Sequence, residues 1–455
     1  MNKFLRTISQ KFNLETIICF GYKSQYPQRQ LVLGYLIYSL VGTLLLLLPL
    51  CRTGSVSLID NLFTAVSALS TTGLSTVDVS SQYTFWGQLV ILALVQLGGL
   101  GYMTFSSYII FKLTHHLGTH EAKMFHTQFS FPDKMKSDNM LGNIVNFAII
   151  FEVVGVMLLY PYFLFNDIEN PLWSAIFHSV SAFCTAGFST FSDNLMRFQS
   201  DWYVNLVIVF LSYMGAMGFI MMTDIMRKIS RKGYHISFTS KVIAVITTAL
   251  TLWSTLHLFF FEPSIQTLDF SSRLLTSLFH SMSAITTVGF NTIDTSSLVA
   301  ITMMMLSFSM YVGASPSGTG GGLKSTTLSA IFAYTKNKLG MRKNISLAGN
   351  KVPTYRVEAA LSTIVFYTFI LATGIYLITM FEGENNTFLD IVFEATSALA
   401  TAGLSSGILS SVCIGSKLVL IVMMFIGRVG VITIGNVMLI KAHADEARRR
   451  SDLVI

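Results

Sequence analysis

Apolar stretches dominate the chain, near 31–50, 86–112, 140–165, 200–226, 240–262, 298–335, 357–381 and 416–440. Each is long enough to cross about 30 Å of hydrocarbon as a helix, so the pattern predicts eight membrane spans with both chain ends on one side. Between the two spans of each successive pair lies a shorter apolar piece of roughly 10–14 residues, a length suited to a re-entrant helix rather than a crossing. Non-helical backbone at that depth persists only where it is buried in protein or lines water.

The four short pieces are variations on one phrase: LFTAVSALSTTGLST (62–76), IFHSVSAFCTAGFST (176–190), LFHSMSAITTVGFNT (278–292) and VFEATSALATAGLSS (392–406). Their shared glycines, Gly73, Gly187, Gly289 and Gly403, are separated by 114, 102 and 114 residues, so each phrase sits at the same place in a repeating unit. A fourfold repeat implies four equivalent walls around one axis. The expected fold is an all-α integral membrane protein: four repeats of helix, re-entrant pore helix with loop, and helix around a pseudo-fourfold pore. The repeats are 31–136, 137–238, 239–350 and 351–440, flanked by cytoplasmic segments 1–30 and 441–455.

Composition agrees, with 52% hydrophobic and 12% charged residues among 455 and a mean hydropathy of +0.61. Too little polar surface is available for a soluble globule, and membrane lipid is the expected surrounding. Of 30 Lys and Arg, 24 fall in the N-terminal segment, the three links between repeats and the tail. The positive-inside rule then makes both termini and those links cytoplasmic and turns the repeated phrases outward. Topology accounts for the net charge of +7, and nucleic acid need not be invoked. The first fifteen residues read as an amphipathic surface helix rather than a cleaved signal. Cys19, Cys51, Cys184 and Cys413 have no metal-ligand spacing and no evident pairing.

A dehydrated cation needs a ring of oxygens, and backbone carbonyls supply one if the chain can turn them inward. Each phrase ends in Thr-x-Gly: Thr71, Thr72, Gly73; Thr185, Ala186, Gly187; Thr287, Val288, Gly289; Thr401, Ala402, Gly403. Glycine permits the turn because it lacks a Cβ, and the preceding helix points its negative C-terminal end at the ion. Both favour cations. The Leu or Phe after each glycine is expected to anchor the loop. The competing reading takes these small-residue phrases as helix-packing surfaces.

On these phrases the chain resembles the membrane subunit of the bacterial Ktr/Trk potassium uptake systems, related to the plant high-affinity potassium transporters. Eight spans without extra N-terminal helices resemble the Ktr branch. The resemblance implies a single-chain pore, a likeness to homodimers with one pore per subunit, potassium held at filter carbonyls, and a cytosolic ring of nucleotide-binding regulatory subunits. Serine in place of the first filter glycine accompanies greater sodium permeation in some plant relatives; glycine at all four positions here favours potassium.

The sixth span is interrupted by Gly313, Ala314, Ser315, Pro316, Ser317, Gly318, Thr319, Gly320, Gly321 and Gly322. Glycine costs about 1 kcal/mol and proline about 3 kcal/mol in a helix interior, so a loop at membrane depth is expected. The corresponding LGGLG (97–101), MGAMG (214–218) and IGRVG (426–430) contain glycines without a comparable break. A phosphate-cradling loop fails because Leu323 separates the last glycine from Lys324 and the segment follows a membrane helix. A passive kink is the alternative to a gate. Arg428 lies 25 residues after Gly403, as Ala314 does after Gly289, so arginine and loop are expected at one depth. A buried arginine needs water or a polar partner; the loop's carbonyls would let Arg428 latch it shut, whereas pairing with Glu394 or Glu152 would be structural.

Thr64, His178, His280 and Glu394 share one aligned position, suited either to tuning the field at the mouth or to hydrogen bonding behind the filter. Glu152 inside a span is a functional candidate by position. The four repeats run in the same orientation, unlike the inverted halves usual in alternating-access transporters. No nucleophile, metal cluster or nucleotide-binding motif points to an enzyme, and arginine-rich voltage-sensing spans are missing.

Overall fold

The computed structural model describes residues 27–101, 104, 137–230, 234–341, 344–383 and 385–439. The expected surface helix at the N-terminus, Cys19, most of the first basic link and the basic tail lie outside them. The helices are α1 (Pro27–Leu46), α2 (Leu58–Leu69), α3 (Phe85–Leu100), α4 (Ser137–Phe165), α5 (Pro171–Phe183), α6 (Trp202–Ala216), α7 (Gly218–Ser230) and α8 (Phe238–Phe261). They continue as α9 (Phe270–Thr286), α10 (Ala300–Val312), α11 (Ser325–Leu339), α12 (Thr354–Glu382), α13 (Phe388–Leu399), α14 (Ile414–Val429) and α15 (Val431–Leu439). A two-stranded hairpin, β1 (Ser346–Leu347) and β2 (Asn350–Lys351), joins α11 to α12.

Among the described residues four helices, α1, α4, α8 and α12, are long and apolar enough to cross a membrane, and up to six spans result if each bent pair counts as one. This is a multi-pass, all-α membrane fold. Its exterior is apolar as well as its core: Leu40, Leu44, Met157, Val245, Phe369 and Tyr376 are exposed on long helices, where lipid can cover them. The short helices α2, α5, α9 and α13 form the interior, with Phe63, Phe177, Phe279 and Phe393 fully buried at one aligned position. Their N-termini are fixed by capping where the sequence provides it: Ser57, Asp269 and Thr387 accept from main-chain N–H groups, and Pro171 opens α5.

The expectation of unbroken second spans outside the third repeat is corrected. Helix α6 turns into α7 at 100° and α14 into α15 at 96°, while α3 ends at Leu100. Gly218, Gly430 and Gly101 stand at these breaks with φ of 80°, 95° and 80°. A lone glycine becomes a break here because it adopts the left-handed half of conformational space, which costs other residues.

Each neighbouring pair of quarters is also tied by a polar contact. Trp173 donates to Gln88 at 2.7 Å, the Leu195 N–H donates to the Asn291 carbonyl at 3.2 Å, and the Thr295 hydroxyl donates to the Ser405 carbonyl. Lys417 closes on Asp60 at 2.7 Å.

Candidate functional site

The four Thr-x-Gly segments meet in a closed cycle. A Cβ built on Gly73 would stand 2.3 Å from the Ala186 carbonyl oxygen, one on Gly187 2.2 Å from that of Val288, one on Gly289 2.6 Å from that of Ala402, and one on Gly403 2.1 Å from that of Thr72. Each glycine therefore accepts the main chain of the next segment in the space a side chain would fill, and the order of contacts returns to its start. All four have positive φ, between 65° and 92°. The anchors after them, Leu74, Phe188, Phe290 and Leu404, are at most 2% exposed.

The turn into the cycle is made by the preceding threonine. Thr71, Thr185, Thr287 and Thr401 have φ of 52°, 51°, 57° and 48°, the left-handed helix-ending position usually given to glycine. The N–H of the next residue (Thr72, Ala186, Val288, Ala402) donates to the carbonyl five residues back, that of Ser67, Ser181, Ser283 or Ser397, at 2.8–3.0 Å. A β-branched residue there costs about 1–2 kcal/mol, so four threonines are four retained strains.

Those serines escaped the reading of the sequence, although one stands at the same offset in every phrase. Ser67 Oγ accepts from the Gly73 N–H at 3.1 Å; Ser181 and Ser283 donate to the Phe188 and Phe290 carbonyls at 2.8 and 2.7 Å. These three brace the outgoing chain against its own helix, whereas Ser397 Oγ has no hydrogen-bond partner. The aligned His178, His280 and Glu394 do the same from behind. His178 meets Ser189 Oγ at 2.9 Å, His280 accepts from the Thr292 N–H at 3.3 Å, and Glu394 accepts from the Ser406 N–H at 2.8 Å. All three are at most 1% exposed.

Directly against the threonines lies the Gly313–Gly322 loop. The Gly321 N–H donates to Thr287 Oγ1 at 2.7 Å, and Thr185 Oγ1 donates to Thr319 Oγ1 at 3.1 Å. A Cβ on Gly321 would fall 2.1 Å from Thr401 Oγ1 and one on Gly320 2.6 Å from the Thr286 carbonyl. Only residues without side chains approach helix ends so closely. The loop is also folded on itself, Ala314 N–H to the Gly321 carbonyl at 3.1 Å and Ser325 N–H to the Ala314 carbonyl at 3.2 Å.

The break between α6 and α7 cradles the loop. Ser315 donates to the Ala216 carbonyl at 2.7 Å, the Thr319 N–H to the Gly215 carbonyl and the Phe219 N–H to the Ser317 carbonyl, both at 3.1 Å. A Cβ on Gly218 would sit 2.3 Å from the Pro316 carbonyl oxygen.

Two cations grip this backbone. Lys324 Nζ donates to the Gly320 carbonyl at 2.7 Å. The Arg428 guanidinium donates to the carbonyls of Thr319 and Gly98, and to that of Gly99 at 3.2 Å. Arginine and loop are thus brought together, with the first quarter added through α3. The acids weighed as partners for Arg428 are engaged elsewhere: Glu152 accepts two hydrogen bonds from Gln96, at 2.9 and 3.1 Å, and Glu394 is held by Ser406. A cavity of about 360 Å³ opens beside the loop between Tyr35, Tyr367, Lys324 and Arg428. The arrangement can strip water from a cation at the glycine cycle and obstruct its exit at the loop.

Known proteins resemble this chain in sequence and in fold. Residues 30–447 match the TrkH family, described as cation transport protein. The Ktr system potassium uptake protein B of Bacillus subtilis is 33% identical over 419 residues, 90% of this chain and 92% of its own. Its namesake in Vibrio alginolyticus is 31% identical over 412 residues, 89% and 90% of the two chains. The potassium/sodium uptake protein NtpJ of Enterococcus hirae is 30% identical over 441 residues, covering 92% and 94%. The crystal structure of the potassium transporter TrkH from Vibrio parahaemolyticus has the same fold, with a TM-score of 0.71 at 20% identity over 91% of this chain and 85% of that one. These relatives are named as transport proteins, not enzymes.

Proposed function

Because this chain belongs to the TrkH family of cation transport proteins, as a membrane subunit of Ktr/Trk type, we propose that it takes up potassium through a four-part filter in one chain. The observation that carries the reading is the closed cycle of Gly73, Gly187, Gly289 and Gly403 against their neighbours' carbonyls. Four carbonyl oxygens held by a braced backbone can replace an ion's hydration shell, and four helix C-termini add negative potential. Ions enter from outside, pass the glycines and meet the Gly313–Gly322 loop, which with Lys324 and Arg428 serves as the gate.

The rest of the assembly follows from the family reading. Eight spans carry both termini to the cytoplasmic side of the cell membrane, two chains pair with one pore each, and a separate cytosolic ring of nucleotide-binding subunits acts on the loop. The Ktr system names of the relatives support a system with further subunits.

The test is potassium and sodium influx into liposomes holding the purified chain, parent beside Gly289→Ser, under an imposed gradient. Potassium-preferring influx that loses its preference in the variant is expected. Influx indifferent to the substitution would return the phrases to a packing role.

A further inference from the structure

Glu152 takes no part in the filter, yet it is a carboxylate near the middle of the apolar stretch Gly142–Phe165 of α4. It is 8% exposed and, among the described residues, has no cation within ion-pair distance. An acid at that depth is expensive and is retained where it acts on something. Its surroundings are built for it. Gln96 of α3 donates to both carboxylate oxygens, at 2.9 and 3.1 Å. Ser179 of α5 donates to its main-chain carbonyl at 2.7 Å, an approach that Gly155 permits, since a Cβ there would stand 2.1 Å from Ser179 Oγ. The Cys184 thiol lies 3.8 Å from Oε1.

The cluster continues to Arg428. Gly99 faces Cys184, and a Cβ on it would fall 2.5 Å from Sγ. The Gly99 carbonyl accepts from the guanidinium at 3.2 Å, and the Gly98 carbonyl accepts from it too. The last turn of α3 therefore touches the carboxylate's cluster through Gln96 and Gly99, and the guanidinium through Gly98 and Gly99.

We propose that Glu152 is a positioning residue for Arg428: it supplies the negative charge that holds the guanidinium on the end of α3, and with it the loop in its closed place. The inference deepens the gate reading and rests on it. The two groups do not touch. Their attraction acts across one helical turn and the Cys184 side chain, in an interior where charges are poorly screened. The Gly98 and Gly99 carbonyls carry only partial charge and orient the guanidinium; Glu152 supplies the full counter-charge. Gln96 serves both ends, because its amide fixes the carboxylate and its helix carries the turn that Arg428 grips.

The experiment compares potassium influx into liposomes holding the full-length chain, at equal content of protein shown to be folded by gel filtration. Glu152→Gln keeps the side chain's size and its ability to hydrogen-bond with Gln96 but removes the charge, and influx is expected to rise severalfold. In an Arg428→Ala background the same substitution is expected to change nothing further, because the cation it served is gone. The exchanged pair, Glu152→Gln with Gln96→Glu, returns one carboxylate to the cluster and is expected to restore parental influx. A residue needed only for packing or hydrogen bonding would give neither the dependence on Arg428 nor the rescue.

Parental influx in a folded Glu152→Gln chain overturns the proposal, as does an equal rise in the parent and Arg428→Ala backgrounds. If the single variant does not fold, the exchanged pair decides: parental influx supports the counter-charge and raised influx overturns it. If Arg428→Ala raises influx while Glu152→Gln does not, the gate stands and the role of Glu152 falls. If neither raises it, the gate reading falls as well.

Discussion

Gly403 stands so close to the Thr72 carbonyl that a Cβ would lie 2.1 Å from the oxygen. The two residues are at opposite ends of the chain, and their contact converts four tandem repeats into a closed cycle. Nearby, Lys417 meets Asp60 in an ion pair whose side chains are 14% and 16% exposed, and Asp60 also accepts from Thr76 at 2.7 Å. The seam between last and first quarter is therefore fastened both at the cycle and at the N-terminal end of α2.

Gly403→Ala should abolish potassium uptake. A Cβ there meets main chain rather than a yielding side chain, at a φ of 83°, and the positive φ alone costs about 1–2 kcal/mol. Rubidium influx in liposomes, with gel filtration to establish folding, checks this; a folded variant with parental influx would contradict it.

Arg428→Ala should increase flux. Removing the guanidinium releases the Thr319 carbonyl, and with it the loop, from the Gly98 and Gly99 carbonyls of α3. The expected rise is severalfold at equal protein content. Single-channel or liposome flux no greater than the parent's would make the arginine a structural group.

Lys417 and Asp60 should be coupled. A double-mutant cycle with Lys417→Met and Asp60→Asn, read by thermal unfolding, should give about 1 kcal/mol, the upper end for ion pairs that keep some solvent contact. Additive effects would show that the seam is held by packing alone.

Gly215→Ala should lower the melting temperature and disturb the loop together. A Cβ there would meet the Phe183 carbonyl at 1.8 Å and Thr319 Oγ1 at 2.8 Å, so the substitution strains helix end and loop at once. Protease accessibility of the loop, rising along with the loss of stability, is the expected signature; unchanged cleavage and melting would contradict the contact.

The legible parts of this molecule are those written locally. The cycle could be anticipated because Thr-x-Gly recurs at fixed spacing, and the loop because five glycines and Pro316 in ten residues leave no regular helix. The bends at Gly218 and Gly430 were not legible, since one glycine in an apolar run carries only about 1 kcal/mol, which packing can turn either way. Nor was the left-handed conformation of Thr71, Thr185, Thr287 and Thr401, since a β-branched residue rarely takes that position and its letter does not announce it. Arg428 announced that it needed a partner and the loop's carbonyls were anticipated, but the Gly98 and Gly99 carbonyls of α3 were not, because a carbonyl has no letter in the sequence. Gln96, which engages Glu152, was missed for a related reason: an amide inside an apolar helix names no particular acid.

The most direct test of the central claim is the potassium-to-sodium permeability ratio of four single variants, Gly73→Ser, Gly187→Ser, Gly289→Ser and Gly403→Ser, in bi-ionic liposome recordings beside the parent. A cycle in which each glycine seats its neighbour's carbonyl predicts that all four lose potassium preference. A folded, conducting variant at any of the four positions that keeps the parental ratio would contradict it.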